Sequence, residues 1–258
     1  MSRTIMTSTD GTNNYTPMVD FSATDASRDS NRSAPRADLA EIRRGIGLLF
    51  GPGDVIEVRI PKTGRYGVIS GYFDDLERLA AELFRADCRY RPPGVYYTIN
   101  PCVPALLGRA YNRLKERADL TTADTDIRLR RWLPVDLDPV RPAGISSSDE
   151  EHEAALARAR LIRGELAGEG WGAPLLADSG NGAHLLYQID QPNTPDALHT
   201  VAGLLSQLSG RFSDEHVKLD TTSGNAARIW KAYGTVCRKG DSIPGRPHRL
   251  SRVLEAAE

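Results

Sequence analysis

The chain has 258 residues, enough for one large domain or two small ones fused on a shared core. Its 40% hydrophobic and 26% charged residues are ordinary globular values, which exclude a wholly disordered, collagenous or coiled-coil protein. Lys+Arg 33 against Asp+Glu 34 leaves net −1, so a nucleic-acid partner would have to be met by locally concentrated positive charge.

Residues 1–36 are dominated by Ser, Thr, Asn and Asp and cannot bury enough surface to offset their ordering entropy; they read as a disordered tail. Asp38 can cap a helix carrying Leu39, Ile42, Ile46 and Leu49. Alternation over 55–60 predicts a strand, a turn follows over 62–65, and a second strand is expected over 66–69. Asp74 and Asp75 open a helix with Leu76, Leu79, Leu83 and Phe84 on its buried stripe. A strand over 94–99 and a basic helix over 105–117, started by Pro104, complete an N-terminal α/β unit over 37–120.

The second unit, 121–258, begins with a strand over 132–138. Ser148 to Glu151 has capping-box spacing before a helix to about Leu166. Short strands over 174–178 and 183–189 flank Asn181-Gly182, a hairpin signal. Thr194-Pro195 caps a helix with Leu198, Val201, Leu205 and Leu208, and strands over 216–220 and 227–233 follow. The order β-α-β-β-α-β predicts a ferredoxin-like, RNA-recognition-motif-like sheet. The fold class is therefore α/β (α+β), with an N-terminal α/β unit packed on an RRM-like unit. Cys88, Cys102 and Cys237 show neither zinc-site spacing nor an even count, and read as reduced thiols of a cytoplasmic protein. No stretch reaches the roughly 18 apolar residues of a membrane helix, and no signal-peptide core is seen, so no membrane partner is expected.

Several residues could carry chemistry. Asp136 and Asp138, two apart on a strand, put both carboxylates on one face. Such a pair can hold divalent ions, though Asp-x-Asp-Pro is also an ordinary strand ending. Asp220 ends another strand and would add a third carboxylate if it shares that face; otherwise it is a surface Asp opening a turn. In Ser179-Gly180-Asn181-Gly182-Ala183-His184 the glycines Gly180 and Gly182 could free backbone N–H groups for an anion, with Ser179 and His184 adding donors; the same stretch also reads as a plain hairpin. Arg228, Lys231, Arg238 and Lys239 begin a basic run. Residues 211–252 carry nine Lys/Arg against four Asp/Glu, and residues 136–196 four against eleven. The net charge hides this separation, although a solvated charged face is the common cause of such a run.

Together the motifs resemble the archaeo-eukaryotic primase superfamily, in its primase-polymerase branch of plasmids, prophages and defence loci. The acidic pair resembles Val135-Asp136-Leu137-Asp138-Pro139, the nucleotide motif resembles Ser179 to His184, and the apolar-Asp motif resembles Leu219-Asp220. Asn225 to Lys231, Arg238-Lys239-Gly240 and Val95 to Pro101 also look like that branch, and the resemblance covers about residues 50 to 252. It implies an active site between the two units and template-directed nucleotidyl transfer, making or extending primers on single-stranded DNA. Asp136, Asp138 and Asp220 would be the catalytic metal ligands for Mg²⁺ or Mn²⁺. Ser179, Gly180, Gly182, His184, Arg228, Lys231 and Lys239 would hold the incoming nucleoside triphosphate. Asn100, Arg109 and Arg238 would face template and primer. Pro134, inside the motif strand, predicts a bulge or an edge there. No P-loop occurs, so a helicase partner would be a separate protein.

Two other classes compete. A non-catalytic, nucleic-acid-binding replication initiator or regulator on the same fold has no use for three like charges facing a polyanion. A nicking nuclease would need a His-x-His pair, and none occurs.

Overall fold

The computed structural model describes residues 34–61 and 63–256. Most of the expected tail, residues 1–33, lies outside the described residues. Helix α1 (Leu39–Leu49) starts where Asp38 accepts the Ala40 and Glu41 N–H groups, and it buries Ile42, Ile46 and Leu49. Strands β1 (Ile56–Ile60) and β2 (Ile69–Phe73) follow, then α2 (Leu76–Tyr90), capped by Asp75, and β3 (Tyr96–Thr98). β2 starts three residues later than expected. Gly64–Tyr66 forms a 3₁₀ turn, and Gly67 sits at φ 63°, where a strand cannot run.

The expected helix over 105–117 is absent. Pro104–Arg109 makes only a 3₁₀ turn, and the chain then runs against β2, with bridges at Tyr72–Tyr111 and Ser70–Lys115. A Cβ on Gly71 would lie 2.0 Å from the Arg113 carbonyl, so this backbone-to-backbone approach depends on a glycine in β2.

The second half builds β4 (Leu129–Pro139), α3 (Asp149–Gly168), β5 (Leu175–Asp178), β6 (Ala183–Pro192), α4 (Pro195–Phe212) and β7 (Val217–Leu219). β8 (Ile229–Lys231), β9 (Val236–Cys237), β10 (Arg249–Leu250) and β11 (Arg252–Glu255) complete the chain. One sheet has the order β11-β5-β6-β4-β7, antiparallel throughout. The β4-α3-β5-β6-α4-β7 segment is thus the expected ferredoxin-like arrangement, its first strand between its third and fourth, and β11 extends the β5 edge. The other sheet has the order β2-β1-β3-β8, also antiparallel. The fold is mixed α+β with antiparallel sheets.

β8 comes from the second half of the sequence but completes the first sheet, with Tyr97 opposite Trp230. The expected boundary at residue 120 is therefore not a boundary between the sheets. On β4, Leu133, Val135 and Leu137 face α3 and α4, against Ala159, Ile162, Val201 and Leu205. Trp132 faces the opposite way, into a core shared with α1, α2 and the first sheet. Asp136 and Asp138 continue the Trp132 face toward that sheet.

Candidate active site

β4 supplies the centre of the site. Asp136 pairs with His184 of β6 on one side. On the other, the Asp220 N–H donates to the Asp136 carbonyl at 2.9 Å, extending the ladder from Leu137–Leu219. His184, Asp136 and Asp220 thus form one row across three strands, and Asp138 lies one row on, opposite Lys218. Pro134 needs no bulge; the register shift in β4 falls between Arg130 and Trp132. The Pro134 carbonyl accepts from Ser223 Oγ at 3.0 Å on the side where β7 has already ended and β4 is locally an edge, so the missing N–H costs no ladder bond.

Between this face and β8 lies a cleft of about 220 Å³, bordered by Tyr96, Asp136, Asp138, Ser179, His184, Arg228, Lys231 and Lys239 among others. It gathers most of the nucleotide-binding residues expected from the sequence. Acidic groups come from β4, and basic groups from β8 and the segment after β9.

His184 is fixed by a relay. Trp230 Nε1 donates to Tyr233 Oη at 2.9 Å, and Tyr233 Oη lies 3.0 Å from His184 Nδ1. With Nδ1 taken up by the Tyr233 hydroxyl, Nε2 is the ring nitrogen turned toward Asp136, 3.4 Å from its Oδ1. Trp230 also packs against the imidazole, with ring centroids 4.1 Å apart.

The two carboxylates are held differently. Burial pushes Asp136 up, but the His184 hydrogen bond and the charges of Arg228 and Lys239 outweigh it, and its pKa ends below the usual value. Burial and then the Asp136 charge push Asp138 above the usual value, against the weaker pull of Lys239 and Arg141. The Arg141 guanidinium comes no nearer Asp138 than 3.7 Å.

Other expected site residues serve the architecture. The Gly180 N–H donates to Asp178 Oδ1 at 2.6 Å and the Gly182 N–H to Ser179 Oγ at 3.0 Å, so neither is free for an anion. The glycines are needed for packing: a Cβ would lie 2.4 Å from the Cys237 Cβ at Gly180 and 2.2 Å from the Leu137 carbonyl at Gly182. Asn181 Oδ1 instead accepts from Ser146 and Ser147, and its amide donates to the Lys239 carbonyl, tying the hairpin to the basic segment. Lys231 borders the cleft, but its buried ammonium donates to Thr235 Oγ1 at 2.6 Å and the Val236 carbonyl at 3.1 Å; burial pushes it down to about 8.

Of the three residues expected to face nucleic acid, two are likewise engaged within the chain and the third lies away from the cleft. Asn100 is buried, accepting from Arg131 and Trp132 N–H and donating to the Ala226 carbonyl. Arg238 makes a two-pronged pair with buried Asp87 at 2.8 and 3.0 Å. Arg109 borders a separate cavity of about 210 Å³ beside Tyr72 and Lys115.

Sequence reasoning gave no site role to Tyr96, to the Tyr233 relay or to Lys218, although Tyr96 lies in the 95–101 stretch and Lys218 two residues before Asp220. Lys218 also borders a second, larger groove of about 420 Å³, between the 139–145 loop and Gly240, which shares Asp138 and Lys239 with the cleft.

Among the described residues, no three His, Cys, Asp or Glu side chains converge on one point as a metal cage. Asp136 and Asp138 could still hold Mg²⁺ or Mn²⁺, because such ions commonly bind one or two carboxylates and complete their shell with substrate phosphates. Two carboxylates on one strand face, one of them accepting no hydrogen bond from the described residues, supply the oxygen donors such ions take.

The chain resembles two solved structures at low identity. One is a crystal structure of the primase RepB', matched over 84% of this chain and 56% of that one, with TM-score 0.41 and 12% identity. The other is the catalytic domain of primase RepB' in complex with initiator DNA, matched over 84% of both chains, with TM-score 0.39 and 12% identity. The chain thus spans little more than half the length of the first. No family model and no curated protein matches it. No described helix is long and apolar enough to cross a membrane.

Proposed function

We propose that this protein is a DNA primase-polymerase of the primase-polymerase branch, a nucleotidyltransferase that adds nucleotides to a strand paired with single-stranded template. One observation carries the reading. A single cleft brings two carboxylates on one strand face, with no Arg or Lys nitrogen closer than 3.7 Å to either, against Arg228 and Lys239 and beside a histidine whose ring is held by a relay. Phosphoryl transfer needs this juxtaposition, because anionic phosphates must be drawn toward a site that is itself acidic.

A bound Mg²⁺ or Mn²⁺ would activate the attacking 3′-hydroxyl and offset charge on the reacting phosphate. The protein's own share is positioning. Asp136 and Asp138 would hold the ion. Arg228 and Lys239 would bind the triphosphate through charge-assisted hydrogen bonds. His184 Nε2 would orient Asp136 and remain within reach of a phosphate oxygen. Ser179 Oγ, having accepted from Gly182, keeps its proton for the ligand. The larger groove, meeting the cleft at Asp138 and Lys239, would admit the growing strand.

Incubation with a primed single-stranded template, labelled nucleotides and Mn²⁺ tests the reading. Stepwise primer extension is expected. A mobility shift without extension would make the protein a non-catalytic initiator or regulator, and template cleavage would make it a nuclease.

A further inference from the structure

Asp220, the third carboxylate of the motif set, is engaged unlike the other two. Its Oδ1 accepts the Thr222 N–H at 2.8 Å and the Thr222 hydroxyl at 2.6 Å, capping the 3₁₀ turn Thr221–Gly224. Its Oδ2 accepts from Arg228 Nη2 at 2.6 Å. Three of the roughly four lone-pair positions of a carboxylate are thereby filled from within the chain. Asp220 does not border the cleft, although Arg228 does. Asp138, by contrast, accepts no hydrogen bond among the described residues, and its nearest cation is 3.7 Å away. To reach a metal from inside the chain's own contacts, Asp220 would have a single lone pair of Oδ2 left, on the oxygen that already holds Arg228.

The same contacts describe an anchor. Arg228 lies just before β8, so strand alternation does not set its direction. Its hydrogen bond to Asp220 uses one of five guanidinium N–H donors and leaves the others for a ligand. We propose that Asp220 is a positioning residue and not a metal ligand: it holds Arg228 in the orientation that receives a nucleotide phosphate, while Asp136 and Asp138 alone hold the ion. This rests on the nucleotidyl-transfer reading above and departs from the motif resemblance, which places Asp220 on the metal.

The test titrates Mn²⁺, followed by electron paramagnetic resonance, and separately a nonhydrolysable deoxynucleoside triphosphate, against the full chain. Asp220→Asn removes a neighbouring charge, already paired with Arg228, and no ligand, so it should keep Mn²⁺ affinity within about threefold of wild type. Asp138→Asn should lose at least about tenfold. Asp220→Asn should weaken the analogue about tenfold, the usual size for one charged hydrogen bond. Combining it with Arg228→Gln should add nothing to the loss from Arg228→Gln alone, because the two residues act as one unit. If Asp220→Asn loses Mn²⁺ as Asp138→Asn does, Asp220 is a ligand and the inference is overturned; additive losses in the double variant overturn it too. Retained Mn²⁺ binding itself reports an intact fold. Should Asn unfold the turn, Asp220→Ser, another good cap, takes its place under the same expectations. Wild-type protein that binds neither probe sinks the nucleotidyl-transfer reading and this inference with it; if it binds both, the Asp220 variants decide the inference alone.

Discussion

Glu57 on β1 and Asp138 on β4 are both carboxylates within sheets of one protein, and the fold treats them in opposite ways. Glu57 is completely buried and accepts from both Arg59 Nε and Nη2, from Ser70 Oγ at 2.6 Å and from the Thr122 N–H at 3.1 Å. Every acceptor position is filled, and the 121–122 segment is tied to β1 by the result. Asp138 is 43% exposed, sees Arg141 only at 3.7 Å and stands two residues from Asp136 on the same face. A saturated carboxylate is architecture. An unsaturated one beside a like charge is a standing demand for a cation from outside the chain.

The largest way to break this contrast is at the site. Asp136→Asn or Asp138→Asn should reduce primer extension to background with the fold retained, whereas Glu57→Gln should leave the activity of its folded fraction near wild type. Extension assays read both, and activity in the Asp138 variant would remove the site from β4.

Next in size is stability. Glu57→Gln leaves Arg59 facing a neutral amide in a nearly closed site, and breaking such a pair costs about 3 kcal/mol. Denaturant unfolding should show a drop of that order, and a change under about 0.5 kcal/mol would mean that Glu57 is not the anchor described.

Lys231 sharpens the comparison from the basic side. Burial holds it near 8, below the 10.5 of the unfolded chain. Between those values the unfolded chain binds a proton that the native state does not, so this group's contribution to stability rises with pH across that window. Lys231→Met should flatten that rise in melting curves taken from pH 7 to 10. An unchanged slope would show that another group is responsible.

The smallest effect distinguishes the two acidic neighbours. Asp138 is raised above the 3.8 of an ordinary Asp, so its ionised form is a penalty to the fold, present above the raised value and gone below 3.8. Asp136 is lowered, so it contributes stability above 3.8 that is lost as pH falls through its depressed value. Without metal at pH 7, Asp138→Asn should raise the melting temperature and Asp136→Asn should lower it, a difference of sign visible by calorimetry. Shifts of the same sign would mean that the pair does not divide its charge in this way.

Much of the site was legible because it is local. Two-residue alternation put Asp136 and Asp138 on one face, and the Asn-Gly hairpin placed His184 at the start of β6. The ferredoxin-like strand order followed from element sequence alone. What could not be read depends on partners far along the chain. Arg238 is the right residue type for a phosphate, but it is claimed by Asp87, about 150 positions earlier. The 105–117 stretch has residues that suit a helix, yet it lies flat on β2 because Gly71 admits its backbone. Gly180 and Gly182 looked like an anion cradle, but their neighbours Cys237 and Leu137 come from other strands. No local pattern says that residues 229–231 leave the second sheet for the first.

That crossing has a consequence for how the protein is made. During synthesis β1, β2 and β3 are complete by residue 98, yet the outer edge of β3 stays bare until residues 229–231 arrive to cover it. For more than a hundred residues of growth the nascent chain carries an open strand edge, the kind of template on which strands of other chains pair. Non-local closure of this sort is also slow. A release of the chain near residue 120 would leave that edge permanently uncovered, so such fragments should self-associate, while the full-length protein closes its own seam with the strand that also brings Arg228 to the cleft.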